Sequence, residues 1–144
     1  MMENIDDYLP RTLDDIVRRR RDEVQIRLAT AMEIAALGEF LGDAQMTPGE
    51  AKDTISEWYP VTFRVRDDLH IRLLGRFERK GAISLTSQVL KLDLAADLAK
   101  TDNSLYRLGN PGEGEPPRHF VVLLCAILND MGVGKTLGVP EVFF

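Results

Sequence analysis

Apolar positions along the 144 residues change their period twice. From the N-terminal side, Leu13, Ile16, Val17, Val24, Leu28, Ala31 and Ala35 recur at a spacing near 3.6, which predicts one face of a helix. Thr12 stands before it as an N-cap, Asp14 and Asp15 suit the positive helix end, and Gly38 and Gly42 bracket its stop. A helix over 12–38 is the expectation, about 40 Å long at 1.5 Å per residue. That is long for a domain of this size, so it lies across the whole core or pairs with a partner. Thr47-Pro48-Gly49-Glu50 reads as a second start, with a cap, a proline at the first helical position and a capping-box glutamate. Ala51, Ile55, Trp58 and Tyr59 then make a short apolar stripe up to Pro60, a helix over 48–59 with Trp58 as a core anchor.

After Pro60 the period becomes two. Val61, Phe63 and Val65 alternate with Thr62, Arg64 and Arg66; Asp67-Asp68 turns; Leu69, Ile71, Leu73 and Phe77 follow in alternation. Arg79-Lys80-Gly81 is the next turn, and a change of phase at Thr86-Ser87-Gln88 marks a bulge or a strand break. A last strand runs from Ser104 to Leu108. These segments predict four or five antiparallel strands over 61–109. From 117 to 131 nearly every position is apolar, including Phe120 to Leu128, so this helix is expected at the centre of the core with Cys125 as a small buried hydrophobe. The predicted fold is α+β in one domain over 1–144: a long and a short N-terminal helix, an antiparallel sheet, a buried C-terminal helix and a tail over 132–144.

Composition agrees with one ordinary domain: 44% apolar and 28% charged residues. One cysteine excludes a disulfide framework and a cysteine-rich zinc site, and two histidines leave little for a metal cluster, so no metal or cofactor is expected. The acidic start of the chain has no signal-peptide pattern, and the longest apolar run, Phe120 to Leu128, is too short for a membrane helix of about 20 residues. A cytoplasmic protein without membrane contact is the expectation.

The net charge of −5 is unevenly spread. Residues 1–59 carry 7 basic and 13 acidic side chains, whereas residues 60–110 carry 9 basic and 6 acidic. Either the two parts neutralise each other, or the basic part faces an acidic partner. The run Arg18, Arg19, Arg20 and Arg21 reads first as a solvated helix face with ion pairs four residues apart, and second as an auxiliary nucleic-acid contact. Of the alternating strands, Arg64, Arg66, His70, Arg72 and Arg76 are expected on one sheet face opposite the core, a candidate surface for an acidic protein or a nucleic acid.

Three catalytic look-alikes fail. Gly134-Lys135-Thr136 resembles a phosphate loop, but Asn129 stands where the first glycine belongs, and the segment follows a helix, with Gly132 as its C-cap. Glu78-Arg79-Lys80 with Asp67 or Asp68 imitates a metal-dependent nuclease centre, but a strand of ten residues would separate the acids by roughly 30 Å. His70 and His119 have no nucleophile or ligand motif beside them. The apolar end, Val139 to Phe144, is expected to fold back onto the core.

These observations point to a non-enzymatic protein that binds a partner protein, such as a small bacterial or mobile-element accessory or inhibitor protein acting by occupying its partner's surface. The alternatives are a nucleic-acid binder using the arginine face and a small enzyme of unrecognised type. A homodimer through the long first helix is a further expectation.

Overall fold

A computed structural model describes residues 10–17, 22–38 and 50–132 of the chain. In chain order the elements are β1 (Val24–Leu28), α1 (Ala31–Gly38), β2 (Asp53–Val65), β3 (Asp68–Phe77), β4 (Ala82–Leu85), β5 (Val89–Asp93), β6 (Leu98–Thr101), β7 (Leu105–Leu108) and α2 (Arg118–Asp130). The expected long helix over 12–38 is absent from the described residues, and so is the helix over 48–59. The sheet has seven strands and is mixed, since β2 and β7 run parallel. The dimer expectation loses its basis with the long helix.

Both errors have a physical source. A spacing of four belongs to a helix face and equally to a strand face, which repeats at two and four. Val24 and Leu28 satisfy both; Ile26 between them decides for the strand, and all three pair with β2, at Val65, Val61 and Phe63 respectively. Thr12 does cap, accepting from the Asp15 N–H at 3.3 Å, but the turn it opens ends at once. Leu13, Ile16 and Val17 from that turn are buried in the core. The helix that forms begins later, at Thr30. There the Glu33 N–H donates to Thr30 Oγ1 at 3.2 Å and the Thr30 N–H donates to Glu33 Oε1 at 2.8 Å, a reciprocal capping box.

In β2 the helix-like spacing comes from a bulge. Ser56 pairs with Arg76 and Tyr59 with Leu74, so Glu57 and Trp58 together oppose Gly75. The extra residue places Ile55 and Trp58, three apart, in one cluster. Glu57 takes a left-handed φ of 46°, where such bulges commonly carry glycine. Pro60 does not stop an element but lies within the strand. Its carbonyl accepts from Ala29 at 2.8 Å, so its missing N–H faces the gap between the segments paired to β7 and to β1.

The strand path is β4-β3-β2-β7-β6-β5, with β1 beside the far end of β2. Laid flat, β4 and β5 would stand about 24 Å apart at about 4.8 Å per neighbour. Only Thr86, Ser87 and Gln88 join them, a span of at most about 14 Å. The sheet therefore rolls until its ends approach. The Thr86 N–H donates to the Leu73 carbonyl at 2.9 Å, and Thr86 Oγ1 accepts from the Leu73 N–H at 2.9 Å. Inside the roll lie Ile55, Trp58, Leu73, Phe77, Leu92 and Tyr106, with Ile34 and Leu37 of α1 packed against them. On the outer face α2 packs against β3 and β4, and its Phe120, Val121, Leu124 and Leu128, with the fully buried Cys125, share one core cluster with Val24 and Ile26 of β1 and Tyr59, Val61 and Phe63 of β2. The expected helix over 117–131 is present as α2. It packs against the sheet and the turn of residues 13–17 instead of a first helix.

Arg27, Glu33 and Thr62 tie α1 to the sheet. Arg27 donates twice to the Glu33 carboxylate, at 2.8 and 3.1 Å, and the buried Thr62 hydroxyl donates to the same carboxylate at 3.1 Å. The Arg27 hydrogen bond is the main reason that Glu33 titrates at about 2, below its ordinary 4.5. Folding thus lowers this pKa, so the stabilisation is complete above about pH 4.5 and is lost as pH falls towards 2. Glu33→Gln is expected to lower stability by about 1–3 kcal/mol at pH 7, a gap that closes between pH 4.5 and 2 in denaturant titrations. A Cβ on Gly75 would stand 2.6 Å from Ile55 Cγ2 and 3.0 Å from the Trp58 Cα. Gly75→Ala is therefore expected to cost about 1–3 kcal/mol by the same measurement.

Candidate functional site

The register of the β2–β3 hairpin decides what the basic side chains can do. Val65 pairs with Asp68, Phe63 with His70, Val61 with Arg72 and Arg64 with Leu69. Directly paired residues share a face. His70 and Arg72 thus stand on the face of Phe63 and Val61, and Arg64 stands on the other. Arg66, with φ 56°, is in the turn. The single arginine face expected over Arg64, Arg66, His70, Arg72 and Arg76 does not form.

The side chains of Arg64, His70, Arg72 and Arg76 have local partners instead. Arg64 Nε donates to Gln25 Oε1 at 3.3 Å, and its Nη1 to the Arg66 carbonyl at 3.1 Å. The His70 ring stacks on Phe63 with centroids 5.5 Å apart, and its Nε2 accepts from Arg72 Nε at 3.2 Å. Burial, and then the Arg72 charge, push the imidazole pKa below its ordinary value, which keeps it neutral at pH 7. Arg76 lies over the Phe120 ring, 5.2 Å from its centroid, and donates to Glu57 at 2.9 Å. Arg76 Nη2 stands 3.5 Å from His119 Nε2, too long for a strong hydrogen bond, so the guanidinium lies between the Glu57 carboxylate and the His119 ring. Arg18, Arg19, Arg20 and Arg21, the phosphate-loop look-alike and the apolar tail lie outside the described residues.

A different set of cations is brought together at one mouth of the roll. Lys52, Asp53, Arg79, Lys80, Ser84 and Leu85 surround a cleft of about 560 Å³ over Phe77 and Tyr106. Those two rings meet edge to face with centroids 5.5 Å apart. They are buried, so they form a floor and present no stacking face. Lys52, Arg79 and Lys80 are exposed. Lys80 Nζ donates to Ser84 Oγ at 3.2 Å, and Arg79 Nη1 to the Lys52 carbonyl at 3.1 Å.

Asp53 holds this arrangement. Its Oδ1 accepts the N–H of Thr54 and of Arg79, both at 2.7 Å, and its Oδ2 accepts the N–H of Lys80 at 3.1 Å. Burial opposes the ionised form, but these three N–H bonds and the Arg79 charge prevail and the pKa is lowered. The negative charge is thereby committed to the main chain of the turn. Gly81 completes that turn with φ 71°, a conformation that glycine adopts without strain, and donates to the Phe77 carbonyl at 2.8 Å.

No family model, no curated protein and no solved structure matches this chain.

The chemistry of the cleft is that of an anion receptor. Asp53 now faces Glu78-Arg79-Lys80, in place of the more distant Asp67 or Asp68, yet both its oxygens are occupied and Glu78 accepts from Ser56 Oγ at 2.6 Å. Among the described residues no three His, Cys, Asp or Glu side chains are grouped to hold a metal ion. Sequence reading treated Arg79-Lys80-Gly81 as a turn and overlooked Lys52 and Asp53. The available signal was an aspartate at the start of a β-rich run. Asp53→Ala leaves three N–H groups without their acceptor, and a loss of about 2–4 kcal/mol is expected, with faster amide exchange at Arg79 and Lys80. Asp53→Asn, which keeps an acceptor oxygen, is expected to lose less. Because the folded pKa lies below 3.8, this stabilisation is present above about pH 3.8 and disappears on further acidification.

Proposed function

We propose that this protein is a non-enzymatic interaction protein, and that an acidic surface of a partner protein docks in the cleft of Lys52, Arg79 and Lys80. One observation carries the reading. Three cations from two chain segments converge on an open cleft whose one carboxylate among the described residues already accepts three main-chain N–H groups. Such a cleft stays electropositive in a chain of net charge −5, and complementary charge steers association and fixes register. Acting by occupying a partner's surface needs no catalytic group, in keeping with the division of Arg76, Glu57 and His119 into a surface ion pair and a neighbouring ring.

The buried Phe77 and Tyr106 favour a protein over a single-stranded nucleic acid, whose binding sites generally offer exposed aromatic faces for bases. The test is affinity capture from the native host with the wild-type chain and with a Lys52→Glu, Arg79→Glu, Lys80→Glu variant of unchanged circular dichroism. The reading expects a protein that survives nuclease treatment, is released by salt, and binds the variant about tenfold or more weakly. Capture abolished by nuclease would support the nucleic-acid alternative. Capture indifferent to the three reversals would remove the cleft from the function.

A further inference from the structure

Strand β4 stands at one end of the strand path and, among the described residues, has a ladder partner on one side only, β3. The ladder pairs Leu74 with Leu85, Gly75 with Ser84, Arg76 with Ile83 and Phe77 with Ala82. Just beyond it the Thr86 N–H donates to the Leu73 carbonyl. Main-chain groups of an antiparallel strand alternate in direction. Those of Thr86, Ser84 and Ala82 therefore point to β3, and those of Ile83 and Leu85 point outward.

The same strand forms a wall of the cationic cleft. Ser84, which lies on the inner face with Gly75 and Phe77, holds Lys80 Nζ at 3.2 Å, with Arg79 and Lys52 beyond it. Ile83 and Leu85 lie on the opposite face, half-buried against the core under α2. A segment laid along the outer edge of β4 would thus find main-chain partners at Ile83 and Leu85. Its alternate side chains would meet cations on one face and apolar surface on the other.

We infer that the partner docks as an extended segment that adds a strand to β4, with acidic residues at every second position facing Lys80, Arg79 and Lys52 and apolar residues between them. This rests on the cleft being the docking site. It goes further in assigning the mode, strand addition, in which main-chain hydrogen bonds supply affinity and alternate side chains supply specificity. Charge complementarity selects this occupant, since alternation places every second side chain of an added strand on the face that carries the cations.

The probe is the peptide acetyl-(Val-Glu)4-amide, titrated against the intact protein by isothermal calorimetry or fluorescence. Two isomers are compared with it, one N-methylated at every valine and one at every glutamate. In a docked strand only one of these sets of N–H groups faces β4. The expected result is that the parent binds in a salt-dependent way, one isomer binds like the parent, and the other is weakened about tenfold or more. Both isomers binding like the parent, with binding still lost in the Lys52→Glu, Arg79→Glu, Lys80→Glu variant, would overturn strand addition and leave the cleft as a charge-reading site. A parent peptide that does not bind, while the captured partner still depends on the three cations, would overturn it as well. Parent binding that ignores the three reversals would overturn both this inference and the proposed function.

Discussion

The carboxylate of Asp53 is the contact on which the arrangement of this protein's candidate site depends. It lies at the first residue of β2 and accepts main-chain hydrogen bonds from Thr54, Arg79 and Lys80, so it joins the start of the longest strand to the turn between β3 and β4. A buried carboxylate held by three N–H donors remains ionised, and hydrogen bonds to charged groups contribute about 1.5–3 kcal/mol each. That is enough to fix a four-residue turn whose residues are exposed and gain little from packing. The turn directs Arg79 and Lys80 to the mouth of the roll, sets the start of β4, and engages the one carboxylate that lines the cleft among the described residues.

The roll supplies the second constraint. Three residues between β4 and β5 cannot span a flat six-strand path, so the sheet closes towards itself and gains an interior, filled by Ile55, Trp58, Leu73, Phe77, Leu92 and Tyr106. Both faces of β2 and β3 are consequently buried, one in the roll and one under α2. Leu73 and Leu74, adjacent in sequence and both fully buried, record this directly. The hairpin thus has an apolar environment on each side, and at its margins His70 stacks on Phe63 and Arg76 lies over Phe120.

The sequence was legible where one period dominated. A hairpin after Pro60, the break after Leu85, and α2 with its Gly132 end were legible from the alternation and the apolar run, although β2 begins earlier, at Asp53, and the hairpin turns at Arg66-Asp67 and not at Asp67-Asp68. Reading failed where two periods coincide. Val24 and Leu28 fit a helix as well as a strand, and the bulge at Glu57 spaces Ile55 and Trp58 like neighbours on a helix. The capping box of Thr30 and Glu33 was in plain view but lay inside a longer apparent helix. The arginine face failed for a related reason. A shift of one residue in register moves a side chain to the other face, and the two-residue turn at Arg66-Asp67 places Arg64 opposite Leu69. The cleft was illegible because Lys52 and Asp53 meet Arg79 and Lys80 across 27 residues of chain, through hydrogen bonds that no local spacing encodes.

The central claim is that function is carried by the electropositive cleft pinned by Asp53, and not by the dispersed arginines of the hairpin. It is tested most directly by mapping amide and side-chain resonances of the protein in a titration with its captured partner. The account predicts that the shifts centre on Lys52, Arg79, Lys80 and Ser84 and decay away from that mouth of the roll. Shifts centred on Arg64, His70 and Arg72, with the cleft unmoved, would contradict it.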